Sequence, residues 1–262
     1  MKLVFESSLV NVLIGGPRWT TGLEFAEGRI LAVVLRTPEQ YSIVGTATLV
    51  APGIALGAEH VFREHIQAWR AGDIAFQLAG KSSTGARTWM VSAITSVQHT
   101  DLAFISLQPL NFDAASSTIH QVSLSLTTPA VGDTLTIFGV IPNNASYDRG
   151  TYADVFLYKF VGTVCEVFLN GRDRLVLPFP CLMADFPSEG AMSGSPVFGA
   201  NGAQVGILSA SMETALEEEP TPSYVSLLLP AFHVPYQRLW PVRESLSLLN
   251  DPRCDIFEND MQ

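Results

Sequence analysis

Residues 190–198 read Gly-Ala-Met-Ser-Gly-Ser-Pro-Val-Phe, and this stretch decides how the rest of the chain is interpreted. Small residues surround Ser193, so its hydroxyl can be exposed while neighbouring N–H groups remain free to face a developing oxyanion. A strand-like apolar run follows, and Asn201-Gly202 then predicts a hairpin with a type I′ turn. Taken alone, the stretch also fits a surface turn rich in Gly, Ser and Pro.

Two other segments make this serine a candidate nucleophile. His60 follows a run of small and apolar residues at 46–58, and Asp101 opens the apolar run at 102–107. An imidazole can take and return a proton near neutral pH, and a carboxylate can fix its tautomer. The chain order is therefore His, Asp, Ser, and this order matters because the same triad occurs on unrelated folds in other orders.

These residues in this order resemble the trypsin/chymotrypsin family of serine peptidases, nearest to its disulfide-poor bacterial members. The resemblance extends from about residue 28 to residue 240. It implies an all-β fold of two six-stranded antiparallel β-barrels with a C-terminal helix. It also implies that His60 is the general acid/base, Asp101 the orienting carboxylate and Ser193 the nucleophile. The backbone N–H groups of Ala191 and Ser193 would form the oxyanion hole.

Other residues compete for these roles. Ser195 is the rival serine in the same motif, and His99 is the main rival histidine. Asp73 and Asp113 are weaker carboxylate candidates, because neither directly precedes so regular an apolar run.

The chain departs from the family pattern at two positions before the serine. Ala191 stands where the family has a glycine, and a left-handed backbone is costly for alanine. We therefore expect the oxyanion hole to be completed by substrate or by a regulatory protein partner. Met192 stands where zymogen-derived members carry an aspartate, so activation by a freed N-terminal amine is not expected.

The resemblance also indicates where a polypeptide substrate would bind. The position at the base of the primary specificity pocket is Pro187, which carries no charge to attract Lys or Arg. A neutral or apolar side chain before the scissile bond is expected, although Glu189 lies nearby. The predicted substrate-binding residues are Pro187, Ser188, Gly190, Ser209, Ala210 and Ser211.

These features predict a serine endopeptidase working through an acyl-enzyme. The alternative is a weakly active or inactive binding module with the same fold, and an esterase is a second rival.

Composition limits the other classes of function. The 262 residues carry a net charge of −10, with 47% hydrophobic and 15% charged residues, so we expect a globular protein that does not bind nucleic acid. No metal-ligand spacing is present, and no cofactor is implied. The N-terminus is a poor signal peptide and no run is long enough to span a membrane, so a cytoplasmic location is expected. A Cys165–Cys181 disulfide is possible, but free buried thiols are favoured.

The sequence predicts two domains. Residues 1–115 form an N-terminal barrel that carries His60 and Asp101, and residues 116–262 form a C-terminal barrel that carries Ser193. The second domain includes a strand at 175–179, an acidic insertion at 212–223 that either screens substrates or is simply solvated, and an acidic tail at 251–262. Apolar residues spaced by three and four predict an amphipathic helix at 234–249, which the resemblance implies is packed on the second barrel.

Overall fold

A computed structural model describes residues 2–5, 10–11, 23–82, 85–112, 119–142, 152–211 and 222–257. Its strands, in chain order, are β1 (Lys2–Phe5), β2 (Val10–Asn11), β3 (Ile30–Arg36), β4 (Tyr41–Ala51), β5 (Ile54–Ala58), β6 (Ala75–Ser82), β7 (Gly85–Ser96), β8 (Leu102–Pro109), β9 (Ser123–Ser125), β10 (Thr134–Pro142), β11 (Tyr152–Phe168), β12 (Cys181–Ala184), β13 (Pro196–Phe198), β14 (Gln204–Ser211), β15 (Ser223–Leu227), β16 (Tyr236–Arg238), β17 (Glu244–Leu246) and β18 (Asp255–Phe257). Its α-helices are α1 (Leu23–Ala26), α2 (His60–Arg63) and α3 (Ile66–Ala71), and the 3₁₀ helices are Leu229–Ala231 and Leu248–Asn250.

The strands close into two barrels. In the first barrel β3 to β8 close in the order β3-β4-β5-β8-β7-β6, with every neighbouring pair antiparallel. In the second barrel β10, β11, β12, β15, β14 and β13 form an antiparallel ring, because β13 pairs with both β14 and β10. The predicted all-β fold of two six-stranded antiparallel barrels is confirmed.

Burial explains why these segments are strands. All five residues of β5 and the first six of β8 are buried, since one face fills the barrel and the other is covered by neighbouring elements. Such continuous burial suits the Ile, Leu and Ala of these strands, because apolar surface removed from water contributes about 25 cal/mol per Å².

The hairpin predicted at Asn201-Gly202 is present, but its turn type is different. β13 and β14 are antiparallel, and the turn is closed by the N–H of Gly202 on the carbonyl of Gly199 at 3.0 Å. A type I′ turn needs positive φ at two successive residues. Here Gly202 has φ 80° and Asn201 does not have a positive φ, so the type I′ prediction is wrong.

The prediction of a C-terminal helix at 234–249 is wrong. This segment forms the two-stranded β16–β17 hairpin and a 3₁₀ turn. Pro241 falls inside the expected helix, where proline removes a hydrogen bond and clashes with the preceding turn. Two residues of the expected apolar stripe, Val242 and Leu249, are exposed.

The C-terminal segment packs on the first barrel and not, as expected, on the second. The rings of Tyr236 and Phe104 lie 4.7 Å apart between centroids, and those of Trp240 and Trp89 lie 5.7 Å apart. The hydroxyl of Ser106 on β8 also donates to the carbonyl of Gln237.

A buried ion pair holds this C-terminal segment together. Arg238 is fully buried and donates from Nη1 to Asp251 Oδ2 at 2.5 Å, and it also pairs with Glu244. The hydroxyl of Tyr236 donates to the same Oδ2 at 2.8 Å. Residue 251 was expected to begin a polar tail, and that expectation is wrong because its carboxylate is buried.

Two further local predictions differ from the structure. Residues 175–179 are not a strand, and β12 follows them instead. All three thiols are free, with Cys165 exposed, Cys181 buried and Cys254 intermediate, so a buried Cys165 is also wrong. Most of the acidic insertion, residues 212–221, lies outside the described residues.

The N-terminal end of the chain joins the second barrel. β1 and β2, which the predicted N-terminal domain 1–115 includes, pair in parallel with β11. None of the helices in the described part of the chain combines the length and the apolar character needed to cross a membrane.

Candidate active site

His60 and Asp101 are hydrogen-bonded to each other in the first barrel. The imidazole Nδ1 lies 2.7 Å from Asp101 Oδ2, and the backbone N–H of His60 donates to Oδ1 at 3.0 Å. A carboxylate can only accept, so the ring carries its proton on Nδ1 and leaves Nε2 as an acceptor. The imidazole is 39% exposed and the carboxylate only 6%, so the acceptor nitrogen is accessible while its partner is shielded.

Local structure fixes both residues. β5 ends at Ala58, and His60 opens α2, whose Phe62 is buried against the ring of Phe76 at 5.0 Å. Asp101 directly precedes β8, in a tight turn that is closed by the Val97 N–H donating to the Leu102 carbonyl at 2.8 Å. The two side chains are therefore positioned by the ends of neighbouring, paired strands, β5 and β8.

Ser209 is a third partner of the carboxylate and comes from the second barrel. Its buried hydroxyl donates to Asp101 Oδ2 at 2.5 Å. The pairing of β14 with β15 shifts register between Leu208 and Ala210, and such a bulge re-aims the side chain at its centre. Ser209 was predicted as a substrate-binding residue, and the hydrogen bond to Asp101 was not anticipated.

Ser193 lies in a tight turn that we call the nucleophile turn (residues 189–195). The Met192 N–H donates to the Glu189 carbonyl at 3.1 Å, and φ is 69° at Ala191 but not positive at Gly190. A positive φ only at the third residue is the pattern of a type II turn, which usually has glycine there. Ala191 therefore adopts the glycine-like backbone that is costly for alanine, at a strain of about 1–2 kcal/mol.

The two backbone donors expected to form the oxyanion hole have no acceptor within the described ranges. Neither the N–H of Ala191 nor that of Ser193 donates a hydrogen bond to any described group. The residues before and after Ser193 are fixed. The Gly194 N–H donates to the Leu208 carbonyl at 2.7 Å, and Met192 is buried in the core of the second barrel.

His60, Asp101 and Ser193 line one cavity of about 380 Å³ between the barrels. Part of its wall is apolar and comes from a segment that we call the cavity loop (residues 169–180). The remaining residues that line it are Arg63, Val176, Leu177, Phe179, Ser209 and Ala210.

The sequence predicts a strand at 175–179 and not the cavity loop. Hydrogen bonds to an aspartate and a glycine with positive φ explain the shape of this loop. The Asp173 carboxylate accepts hydrogen bonds from the N–H groups of Val176 and Leu175 at 2.7 and 2.9 Å, and these bonds lower its pKa. Gly171 has φ 85°, and a Cβ there would lie 2.7 Å from the Pro178 carbonyl carbon. The Gly and Asp at these positions are the available sequence signal for a loop.

The structure separates the candidates from their rivals. Ser195 is fully buried, while Ser193 is partly exposed in the cavity. His99 is exposed on a turn with φ 58°, and Asp73 is exposed away from the cavity lining. The last rival, Asp113, lies outside the described residues.

Of the predicted substrate-binding residues, Ser209 and Ala210 line the cavity, whereas Pro187, Ser188 and Gly190 do not. These three precede the nucleophile turn or lie within it, and Gly190 is exposed. Ser211 is the last residue of β14.

The family of the chain follows from a comparison with known families. The family model described as the trypsin-like peptidase domain matches residues 45–207, which include all three candidate residues. The chain belongs to the trypsin-like peptidase family. No curated protein matches the sequence of this family member.

Solved structures of trypsin-like folds are similar to this one. Deg5 aligns with a TM-score of 0.55 and 13% identity, over 79% of this chain and 86% of its own. The MamO protease domain from Magnetospirillum magneticum aligns at 0.52 and 12%, over 78% and 94%. The thermostable serine protease AL20 from an extremophilic microorganism aligns at 0.52 and 17%, over 79% and 93%. At these identities the likeness shows the fold.

Proposed function

We propose that this protein is a serine endopeptidase that hydrolyses peptide bonds through an acyl-enzyme on Ser193. The observation that supports this most strongly is the 2.7 Å contact between the His60 ring and Asp101 beside a partly exposed Ser193 in the same cavity. Membership of the trypsin-like peptidase family supports the same reaction class.

In the proposed acylation step, His60 Nε2 accepts the proton of the Ser193 hydroxyl as Oγ attacks the peptide carbonyl carbon. A C–O bond forms, and the carbonyl π pair moves onto oxygen. The tetrahedral intermediate collapses, the C–N bond breaks, and His60 returns the proton to the leaving amine. Asp101 stabilises the imidazolium that forms between these two events.

Deacylation repeats the sequence with water as the nucleophile. His60 accepts a proton from water, whose oxygen attacks the acyl carbon, and the proton then passes to Ser193 Oγ as the ester bond breaks. The products are a carboxylic acid, an amine and the free serine, so no redox partner is required.

The free N–H groups of Ala191 and Ser193 are the proposed donors to the oxyanion. Loss of one such donor costs about 3–4 kcal/mol of transition-state stabilisation. The sequence predicts that a regulatory partner or the substrate completes this hole, because a left-handed backbone is costly for alanine. The φ of 69° at Ala191 instead supports an oxyanion hole that is already formed in the free protein. We propose this arrangement.

We infer that the substrate is a polypeptide with neutral or apolar side chains on the acyl side of the scissile bond. The apolar wall formed by Leu177, Phe179 and Ala210 supports this preference. The nearby cation Arg63 is already paired with Glu59 through Nε at 2.6 Å. Digestion of a peptide library should show this preference, and dominant cleavage after Lys or Arg would contradict it.

An active-site fluorophosphonate probe tests the central proposal. It should label the wild-type chain at Ser193, as located by mass spectrometry, and should not label Ser193→Ala. Ser195→Ala is the matched control, since this serine is buried, and it should be labelled like the wild type. A wild-type chain that binds peptides but resists the probe at every pH would favour the inactive binding module.

A further inference from the structure

Thr46 on β4 links the two barrels behind the nucleophile turn. Its side chain is fully buried, and Oγ1 lies 3.0 Å from the Ala191 carbonyl and 3.1 Å from the Val140 nitrogen. The Val140 N–H can only donate, so the Thr46 hydroxyl accepts that bond and uses its own hydrogen to hold the Ala191 carbonyl.

The backbone of the same residue contacts the rest of the turn. The Thr46 N–H donates to the Ser193 carbonyl at 2.8 Å. Its own carbonyl oxygen would lie 2.1 Å from a Cβ at Gly194, whose φ is 86°. One residue of the first barrel therefore touches three of the four residues from 191 to 194.

These contacts fall where the turn is strained. Alanine in a left-handed conformation pays a steric cost of about the same size as the net gain from one hydrogen bond. The bond from Thr46 fixes the peptide plane that follows Ala191, and thereby restrains the angles of the strained residue.

We propose that Thr46 is a positioning residue whose hydroxyl keeps Ala191 in its left-handed conformation and so keeps the Ala191 N–H available to the oxyanion. This inference rests on the proposed function of the turn. It assigns to the first barrel, which supplies His60 and Asp101, a second task in the reaction.

A neighbouring threonine provides a matched control. Thr48 lies two residues along β4 and is also fully buried, but its hydroxyl has no partner among the described residues. Thr46→Val and Thr48→Val make the same chemical change in the same strand, and only the first removes a hydrogen bond to the nucleophile turn.

The first measurement is the saturation kinetics of fluorophosphonate labelling of the full chain. Thr46→Val should lower the maximal rate about tenfold, the equivalent of one hydrogen bond, with the half-saturating concentration unchanged. Thr46→Ser should retain most of the rate, and Thr48→Val should match the wild type. An unchanged rate in Thr46→Val, or an equal loss in Thr48→Val, would overturn the inference.

Rescue at the strained position separates positioning from packing. Glycine pays no steric cost for a left-handed backbone, so Ala191→Gly should restore much of the rate lost in Thr46→Val. If Thr46 acted only by packing between the barrels, the double variant would be as slow as Thr46→Val alone.

Hydrogen exchange of the Met192 amide, followed by NMR, tests the turn without relying on activity. The Met192 N–H donates to Glu189 and should exchange about tenfold faster in Thr46→Val but not in Thr48→Val. If the Met192 amide exchanged at the same rate in Thr46→Val and in the wild type, the inference would be overturned even if labelling fell. If the wild-type chain were not labelled at Ser193, the proposed function would be overturned, but the faster exchange in Thr46→Val would still show that Thr46 holds the turn. Thermal unfolding checks each variant, and Thr46→Cys, whose thiol is a weak donor, replaces Thr46→Val if the latter does not fold.

Discussion

Asp101 and Asp251 are two nearly buried aspartates that the fold uses in opposite ways. They are 4% and 3% exposed, and each accepts hydrogen bonds from three groups. Asp101 faces His60, an imidazole that can gain and lose a proton at the wall of a cavity. Asp251 faces Arg238, a buried guanidinium that keeps its charge at all relevant pH.

We expect the partner, and not the burial of the carboxylate, to decide the role of each aspartate. A carboxylate beside a titratable ring can stabilise a charge that appears only during a reaction. A carboxylate beside a permanent, buried cation compensates a charge that is always present, so its removal leaves that cation without a full partner. The first arrangement should govern rate, and the second should govern stability.

Asp101→Asn should have the largest effect and should act on rate. The amide keeps the shape but cannot fix the same histidine tautomer, so fluorophosphonate labelling should slow by about 10⁴-fold, as in the general triad template. Stability should change by at most about 1 kcal/mol in denaturant melts, because no permanent charge loses its partner. A large loss of stability with normal labelling would reverse the assignment of the two aspartates.

Asp251→Asn should give the complementary result. Removing one member of a buried ion pair costs about 3 kcal/mol or more, although Glu244 remains as a second partner of Arg238. Chemical denaturation should report this loss, while the labelling rate per folded molecule stays at the wild-type value. A loss of labelling in the folded variant would show that the C-terminal segment reaches the active site.

Ser209→Ala tests how far the other hydrogen bonds to Asp101 contribute to the labelling rate. It removes one of three hydrogen bonds to Asp101 and leaves the His60 contact in place, so labelling should slow by only about tenfold. A variant that is labelled at the wild-type rate would restrict Ser209 to a structural role.

Acid pH should produce the smallest effect. Burial alone would raise the pKa of Asp251, but hydrogen bonds from Arg238, Arg253 and Tyr236 outweigh it and lower the pKa. The stability from this depressed pKa is complete above the unfolded value of about 3.9 and is lost as pH falls through the folded value. The melting temperature should therefore fall less steeply below about pH 4 in Asp251→Asn than in the wild type.

Glu244→Gln is the control for the acid measurement. Its pKa is also lowered, by hydrogen bonds from Arg238 and Arg253, but its side chain is 40% exposed, whereas that of Asp251 is fully buried. The change in pH dependence should accordingly be smaller than in Asp251→Asn. Parallel pH profiles of the wild type and both variants would show that neither carboxylate contributes to acid unfolding.

Much of the fold could be predicted because strand patterns and turn residues are local signals. Short apolar runs separated by Gly, Pro and Asn predict strands, and the resemblance carried by His60, Asp101 and Ser193 implies that these strands form two barrels. The prediction of a C-terminal helix is wrong for a local reason as well, since Pro241 interrupts the segment whose apolar residues have helical spacing.

The remaining features depend on contacts that no local pattern contains. The bond between Thr46 and Ala191 joins residues 145 positions apart, and the aim of Ser209 depends on a bulge in β14. The residue type of Ala191 predicts that left-handed angles are costly, and a contact that restrains these angles comes from Thr46 in the other barrel. The sequence could therefore suggest the reacting groups, but not the contacts that position them.

Segments near the two ends of the chain each contact the barrel that is formed mainly by the other half of the chain. β1 and β2 extend the sheet of the second barrel, whereas Tyr236 and Trp240 near the other end pack on the first. The second barrel is therefore bound by a segment from the N-terminal end of the chain, and the first barrel by a segment from the C-terminal end. If the chain were cut between β8 and β9, the packing of both end segments would still join the two fragments, and the groups that the two barrels contribute to the cavity would remain aligned.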